Sequence, residues 1–274
     1  MGGSLTLGEN VEIGFQDLRD SLLEGSPVID LLIADLYINA TAENPLRITL
    51  EDTPDSITTD LFRYINPGMP LNHDTSWSGL DVTGSSFKIR IPDKLENSSF
   101  EGEKVSIEAE YRAREDSNSV NISQCVFIAD TVRFEQEQNV WNSISRSLVT
   151  GHFENCFRIL DRITFANETG TAVENIRRNA VIMNSFFFGY DTLVSGDSSF
   201  IDYSAYLNME DQPVFGRNVT VGENFLGERN PRFVDPDAGD YHLQSGSDLI
   251  DAGNPDSDPD PDGTRADIGA YFFD

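Results

Sequence analysis

Lysine is nearly absent from this chain of 274 residues, which contains 16 arginines but only Lys88, Lys94 and Lys104. No lysine amine is therefore available to any chemistry carried by the residues after Lys104. Asp and Glu number 47 against 19 basic residues, which gives a formal net charge of −28. Such a surface excludes binding to nucleic acid or anionic membrane, because both rely on Lys and Arg that neutralise phosphates. It attracts divalent cations, and it is equally typical of proteins adapted to salty water.

Cysteine and long apolar runs are also scarce. The two cysteines, Cys125 and Cys156, are too few for a disulfide framework, and each stands in an apolar run that predicts a small buried thiol. The longest apolar run, around 31–33, is interrupted by Asp30 and Asp35, so we predict no membrane insertion. The first residues lack the charged start and apolar stretch of a signal peptide, so we expect a secreted or cell-surface protein whose signal has been removed.

Helical periodicity is limited to Phe15, Leu18 and Leu22, whose spacing predicts a short amphipathic helix that covers an open strand edge. Alternating apolar residues predict strands at 46–50, 87–91 and 105–111. We therefore expect a β-rich region over 1–114, which forms a cap, the early turns of a solenoid or a small β-sandwich. The polar stretch 112–118 contains the predicted boundary, and the second region spans 115–274.

A degenerate repeat follows this boundary. Three hexapeptides, which begin at Ile122, Ile144 and Ile182, share an Ile, any residue, a long polar residue or Asn, a Ser or Cys, and two apolar residues. The first two copies are 22 positions apart (144 − 122) and the third follows after 38 (182 − 144). Repeats of roughly 20–50 residues are typical of solenoids, in which each unit buries its apolar face on its neighbours. The pattern predicts that the three isoleucines stack in register.

The C-terminal segment carries a more specific pattern. It reads PRFVDP at 231–236, GDYHL at 239–243, GSDLIDAG at 246–253 and DGTRADIGAY at 262–271. This segment resembles the closing segment of bacterial secreted proteins with the pectate-lyase-like fold. The resemblance implies an all-β chain with a right-handed parallel β-helix over 115–274. It covers about 45 residues strongly, and the repeat region weakly.

Alternating aspartates precede a glycine turn in Asp256-x-Asp258-x-Asp260-x-Asp262-Gly263. Carboxylates spaced in this way can converge on one cation, as they do in calcium loops. We predict calcium ligands at Asp258, Asp260, Asp262 and Asp267, with a solvated acidic turn as the alternative. The bidentate Glu of an EF-hand is missing, because its position holds Gly269.

The fold that the resemblance implies hosts lyases and hydrolases of acidic polysaccharides. A lyase needs a base, and without lysine the candidates are Arg158, Arg162, Arg177 and Arg178. Arginine is a poor base, because its pKa lies above about 12. A binder of neutral sugars avoids the clash between an acidic substrate and an acidic protein. Such a binder could use stacking platforms from the set Trp141, Tyr190, Tyr203 and Tyr206, for which core packing is the alternative.

Three classes of function therefore remain. We predict an extracellular structural, adhesive or glycan-binding protein whose partner is a polysaccharide or a cell-surface glycan. The alternative is a calcium-dependent polysaccharide lyase or another polysaccharide-degrading enzyme.

Five Asn-x-Ser/Thr sequons are also present, at Asn39, Asn97, Asn121, Asn167 and Asn218. They mark glycan acceptors only in a host that glycosylates asparagine, since Asn, Ser and Thr also suit β-turns and ladders.

Overall fold

The computed structural model describes most of the chain from residue 76 onward and four strands before it. The described residues are 3–7, 12–15, 33–39, 46–50, 76–84, 86–91, 94–109, 119–135, 141–154, 158–167, 169–176, 179–207 and 214–274. They belong to two compact units, one of residues 1–121 and 125–140, the other of residues 122–124 and 141–274. The described part of the chain is nearly all β, with a large parallel sheet.

The first unit contains strands that pair in parallel. They are β1 (Gly3–Leu7), β2 (Glu12–Phe15), β3 (Ile33–Asn39), β4 (Leu46–Leu50), β5 (Ser76–Ser78), β6 (Leu80–Gly84), β7 (Ser86–Ile91), β8 (Lys94–Glu96), β9 (Ser99–Ala109) and β11 (Val126–Glu135). β10 (Ser119–Ser123) crosses the division between the units. One parallel series runs β1–β3–β5–β8, and a second runs β2–β4–β6–β9–β11. β4, β7 and β9 confirm the strands predicted at 46–50 and 87–91 and most of the one at 105–111.

The predicted N-terminal helix is wrong at its first position, because Phe15 ends strand β2. Glu12, Ile13, Gly14 and Phe15 are in register with strand β4, and these backbone hydrogen bonds to a neighbouring strand outweigh a weak helical spacing. Leu18 and Leu22 lie outside the described residues.

The second unit contains the remaining strands. They are β12 (Trp141–Glu154), β13 (Ile159–Ala166), β14 (Thr171–Ile176), β15 (Ala180–Met183), β16 (Phe186–Phe188), β17 (Thr192–Gly196), β18 (Ser199–Asp202), β19 (Ala205–Leu207), β20 (Val214–Phe215), β21 (Val219–Val221), β22 (Gly227–Glu228), β23 (Phe233–Asp235) and β24 (Asp240–Leu243). One turn of 3-10 helix, Pro236–Ala238, connects β23 to β24, and these two strands pair antiparallel.

Strands β12 to β22 form three parallel series in the second unit. The first series is β12–β13–β15–β18–β21, the second is β12–β13–β16–β19–β22 and the third is β12–β14–β17–β20. The chain visits the first, second and third series in order and then returns to the first. We call the bend between the first and second series the first corner, that between the second and third series the second corner, and the return to the first series the third corner.

Buried side chains stack in columns along these series. Ile144 is in register with Leu160, Leu160 with Ile182, and Ile182 with Ile201, and all four are fully buried. The prediction that Ile144 and Ile182 share a column is confirmed, with Leu160 between them. In the second series the rings of Phe165 and Phe187 are stacked, with centroids 5.0 Å apart and an interplanar angle of 6°.

The closing segment packs apolar residues against the last strands. Phe233 contacts Tyr241 edge to face with ring centroids 5.1 Å apart, and Leu249 and Ile268 are fully buried. Cys125 is buried as predicted, whereas Cys156 lies outside the described residues. In the part of the chain that the structure describes, no helix has the length and apolar character needed to cross a membrane.

Candidate functional site: a polar cleft at the first corner

Each repeat bends at the first corner through one residue with left-handed backbone. These residues in the second unit are Gln124, Arg146, Arg162, Asn184 and Tyr203, with φ between 44° and 56°. Left-handed backbone is uncommon outside glycine, and Asn tolerates it best among residues with a side chain. The long polar position of the sequence repeat is therefore the corner position.

The small residue after the corner forms a buried serine ladder. Ser147, Ser185 and Ser204 each donate the hydroxyl hydrogen to the backbone carbonyl two residues earlier. Ser185 Oγ also accepts the backbone N–H of Ile163 at 3.2 Å, and Ser204 Oγ accepts that of Ser185 at 3.1 Å. A small hydroxyl thus satisfies backbone groups that the bend removes from the strand ladder, which explains the Ser or Cys in the sequence repeat.

An open cleft of about 590 Å³ lies beside this corner. Its lining is almost entirely polar and comes from the first corner and from the closing segment: Ser123, Gln124, Ser145, Arg146, Asp161, Arg162, Asp256, Ser257 and Asp258. The lining combines hydroxyl, amide, guanidinium and carboxylate groups. Such a surface can bind a hydroxyl-rich ligand through many hydrogen bonds.

Arg162 is the most buried charged side chain of the cleft, with 4% of the residue exposed. Its Nη1 donates to Asp260 Oδ1 at 3.2 Å, and its Nη2 donates to the backbone carbonyl of Asp258. Its Nε is buried without a hydrogen-bond acceptor, since the nearest carboxylate oxygen, Asp161 Oδ2, is 3.8 Å away. Arg162 therefore fastens the closing segment to the first corner.

Asn184 connects Asp161 to the closing segment. Asn184 is fully buried, and its Nδ2 donates to Asp161 Oδ1 at 2.7 Å and to Ser257 Oγ at 3.0 Å. Its Oδ1 accepts the backbone N–H of Asn254 at 2.6 Å. Partial burial raises the pKa of Asp161 above 3.8, although the hydrogen bond from Asn184 and the nearby Arg162 and Arg146 act in the opposite direction.

The predicted calcium ligands have separate roles in the closing segment. Asp260 Oδ2 accepts the backbone N–H of Asp267, and the two oxygens of Asp267 accept the N–H groups of Asp251 and Phe273. Asp262 Oδ1 accepts the backbone N–H of Thr264, whereas Asp258 lines the cleft. Burial raises the pKa of Asp267, and the Thr264 hydrogen bonds lower that of Asp262. Calcium binding by these four residues stays a prediction.

The four candidate arginines differ in position. Arg162 contributes to the cleft, whereas Arg158 is half-buried just before β13 and does not line it. Arg177 and Arg178 lie outside the described residues. Sequence analysis missed Arg146, although the long polar position of the repeat marked it, because that position was not recognised as a corner.

Two of the four proposed aromatic platforms have no exposed ring face. Tyr190 is fully buried and donates its hydroxyl hydrogen to the Gly151 carbonyl, and Tyr206 is 7% exposed and stacks on Phe225. Tyr203 is half-buried at the first corner, and the Trp141 side chain lies outside the described residues. Core packing, the alternative considered for these aromatics, therefore holds for Tyr190 and Tyr206.

An outward apolar stripe lies on the first series. Ile159, Val181 and Phe200 are in register on three successive strands, and Ile159 and Phe200 are 48% and 36% exposed. Ile159 stands two residues before Asp161 on the same outward face. Sequence analysis missed this stripe, because single exposed apolar residues are common and only the register places these three together.

His152, Glu154 and Glu174 form a separate group in the third series. Glu154 is in register with Glu174, and the ligand atoms of the three side chains lie within 4.8 Å of one another. Among the described residues this is the only such set of three or more His, Cys, Asp or Glu. All three side chains are half-buried, and exposed acidic groups often approach each other without an ion.

Comparison of the chain with protein-family models, with curated proteins and with solved structures finds no match.

Proposed function

We propose that the chain folds as a right-handed parallel β-helix of the pectate-lyase-like kind. The three ordered parallel series and their stacked core columns support this proposal, and parallel crossover connections are right-handed in about 98% of cases. The parallel pairing of β1 to β9 favours solenoid turns over a small β-sandwich for the described residues of 1–114.

We propose further that the protein is an extracellular glycan-binding element, and that the cleft at the first corner is its binding site. The observation that carries this proposal is the cleft's lining of hydroxyl, amide and charged groups, together with the apolar stripe on the same series as Asp161. A pyranose ring presents hydroxyls at its edge and C–H groups on its faces. The polar cleft suits the hydroxyls, and the stripe with Phe200 suits an apolar sugar face.

Charge selects the class of glycan. Asp161, Asp256 and Asp258 line the cleft with Arg146 and Arg162, and Arg162 is already paired with Asp260. The net charge of −28 adds long-range repulsion of anions at low salt. The ligand that fits is therefore a neutral polysaccharide rather than a uronate polymer.

The state of Arg162 favours binding over lyase chemistry. A catalytic base must reach the proton that it abstracts, and Arg162 is buried and donates to Asp260 and Asp258. Its contacts suit a residue that holds the closing segment in place.

The alternative is a polysaccharide-degrading enzyme, and one observation favours it. Asp161 is a carboxyl group with a raised pKa in an open cleft that also contains Asp258, and glycoside hydrolysis uses a pair of carboxyl groups. In this alternative Asp161 is the proton donor.

A panel assay separates the two. Wild type and Asp161→Asn protein are incubated with neutral glucans, mannans and galactans and with polygalacturonate, with and without calcium, and both binding and release of reducing or unsaturated ends are measured. We expect retention on a neutral polysaccharide and no release of ends. Release that Asp161→Asn abolishes would replace binding by catalysis, and retention on no member of the panel would remove the glycan-binding proposal.

A further inference from the structure

The structure divides the sequons into those whose residues form part of a repeat corner and those whose residues do not. Asn97 has left-handed backbone with φ 48°, is half-buried, and its Nδ2 donates to Ser78 Oγ at 3.2 Å. Ser98 after it is 3% exposed and accepts the backbone N–H of Leu80. Asn97-Ser98 therefore repeats the corner-and-ladder pair of Asn184-Ser185. The bend accounts for its asparagine.

Two further sequons either overlap the repeat or continue beyond the described residues. The Asn121 sequon overlaps the repeat, because Ile122 is a buried core residue and Ser123 lines the cleft. The Asn39 sequon continues into residues outside the described part of the chain.

Asn167 and Asn218 are different in each of these respects. Asn167 is exposed at the second corner, directly after β13, and Thr169 of its sequon is exposed too. Asn218 is exposed at the third corner, directly before β21, and Thr220 is exposed. Neither asparagine has left-handed backbone. The bend itself does not call for asparagine at these two positions.

Exposure at a corner is what an attached glycan requires. The modified Nδ2 must point away from packed strands, because a bulky, hydrated glycan cannot be buried. Asn167 at the second corner and Asn218 at the third corner both meet this condition.

We propose that Asn167 and Asn218 are N-glycosylation sites and that Asn97 is not one. This proposal rests on the extracellular location proposed above. The co-substrate is a lipid-linked phospho-oligosaccharide. The Asn Nδ2 forms a bond to the anomeric carbon of the first sugar, the bond from that carbon to the lipid phosphate oxygen breaks, and the amide proton leaves to a base while the lipid phosphate departs.

Glycopeptide mapping of the protein isolated from the cells that produce it tests the proposal. Enzymatic release of N-glycans in heavy-oxygen water converts each modified asparagine to labelled aspartate, which mass spectrometry assigns to a residue. We expect label at Asn167, at Asn218 or at both, and none at Asn97. Unlabelled peptides for both Asn167 and Asn218, or any label at Asn97, would overturn it.

Substitution variants supply the control in a secreting, glycosylating host. Asn167→Gln and Asn218→Gln should each remove one glycan from the intact mass, whereas Asn97→Gln should leave the glycan mass unchanged. Loss of glycan mass in Asn97→Gln protein would count against the sorting of the sequons. Glycan binding by the cleft is measured on unglycosylated protein, so its failure and that of the modification proposal are distinguishable.

Discussion

At the scale of single residues, Arg162 ties the closing segment to the first corner. Its partner Asp260 is 5% exposed, and the second carboxylate oxygen of Asp260 accepts the backbone N–H of Asp267. Removing one member of a buried ion pair leaves the other charge desolvated and unpaired. Substitution of either Arg162 or Asp260 should therefore destabilise the contact between the closing segment and the first corner.

Arg162→Ala should lower the free energy of unfolding by about 3–5 kcal/mol, the usual cost of breaking a buried pair. Arg217 is exposed, and Arg217→Ala should change stability by less than about 0.5 kcal/mol. Urea denaturation of both variants measures the difference. Equal midpoints for the two variants would mean that the buried pair does not stabilise the second unit.

Asp161 adds a pH dependence whose sign follows from its raised pKa. The folded state binds the Asp161 proton more tightly than the unfolded state, so this group contributes stability that is present below its unfolded pKa and lost as the pH rises through its folded pKa. Asp161→Asn removes the contribution. Its stability relative to wild type should therefore increase as the pH rises from below 3.8 through the raised pKa. Denaturation curves over this range check it, and a pH-independent difference would contradict it.

At the scale of elements, the serine ladder explains why the repeat could be detected at all. The first corner needs a residue that tolerates left-handed backbone and then a small hydroxyl or thiol, and these demands recur at Asn184-Ser185 and Arg146-Ser147. A single turn can form the same bend without a hydroxyl after the corner residue. Arg162-Ile163 follows the bend without the hydroxyl.

Ser185→Ala should destabilise the protein by about 1–3 kcal/mol, because the buried backbone N–H of Ile163 loses its acceptor. Ser185→Cys should cost less, since the sequence repeat accepts Cys at this position. Ser198 is exposed, and Ser198→Ala serves as the matched control. Thermal unfolding of the three variants compares them, and an Ala effect at Ser185 no larger than that at Ser198 would contradict the role of the ladder.

The sequence predicted the repeat but not its full register. The 38 positions between Ile144 and Ile182 contain a complete turn centred on Leu160, so the true steps are 16 (160 − 144) and 22 (182 − 160). The sequence pattern missed this turn, because Leu160 replaces the Ile of the repeat and Ile163 replaces the Ser or Cys after the corner. The cleft was also hidden, because it joins first-corner residues to Asp256, Ser257 and Asp258, and such distant residues meet only through the fold.

At the scale of the whole molecule, the strongly acidic composition predicts that calcium affects stability. Calcium bound by Asp258, Asp260, Asp262 and Asp267 would raise the melting temperature, because binding to the native state alone stabilises it by mass action. Melting curves in calcium and in chelator decide between this prediction and a solvated acidic turn that the backbone N–H groups already satisfy. Equal curves, with carried-over ion stripped, would show that these carboxylates hold no stabilising calcium.

The glycan-binding claim is tested most directly by affinity electrophoresis in gels that contain one soluble neutral polysaccharide, chosen from the panel by retention of the wild type. Arg146→Asn shortens a cleft side chain and keeps a residue that tolerates the left-handed φ of 47°, and Arg217→Asn is the exposed control. Loss of one charged hydrogen bond of about 1.5–3 kcal/mol predicts retention at least about tenfold weaker for Arg146→Asn. The Arg217→Asn protein should migrate like the wild type. Equal retention of all three proteins, or stronger retention by polygalacturonate, would contradict a neutral-glycan site in the cleft.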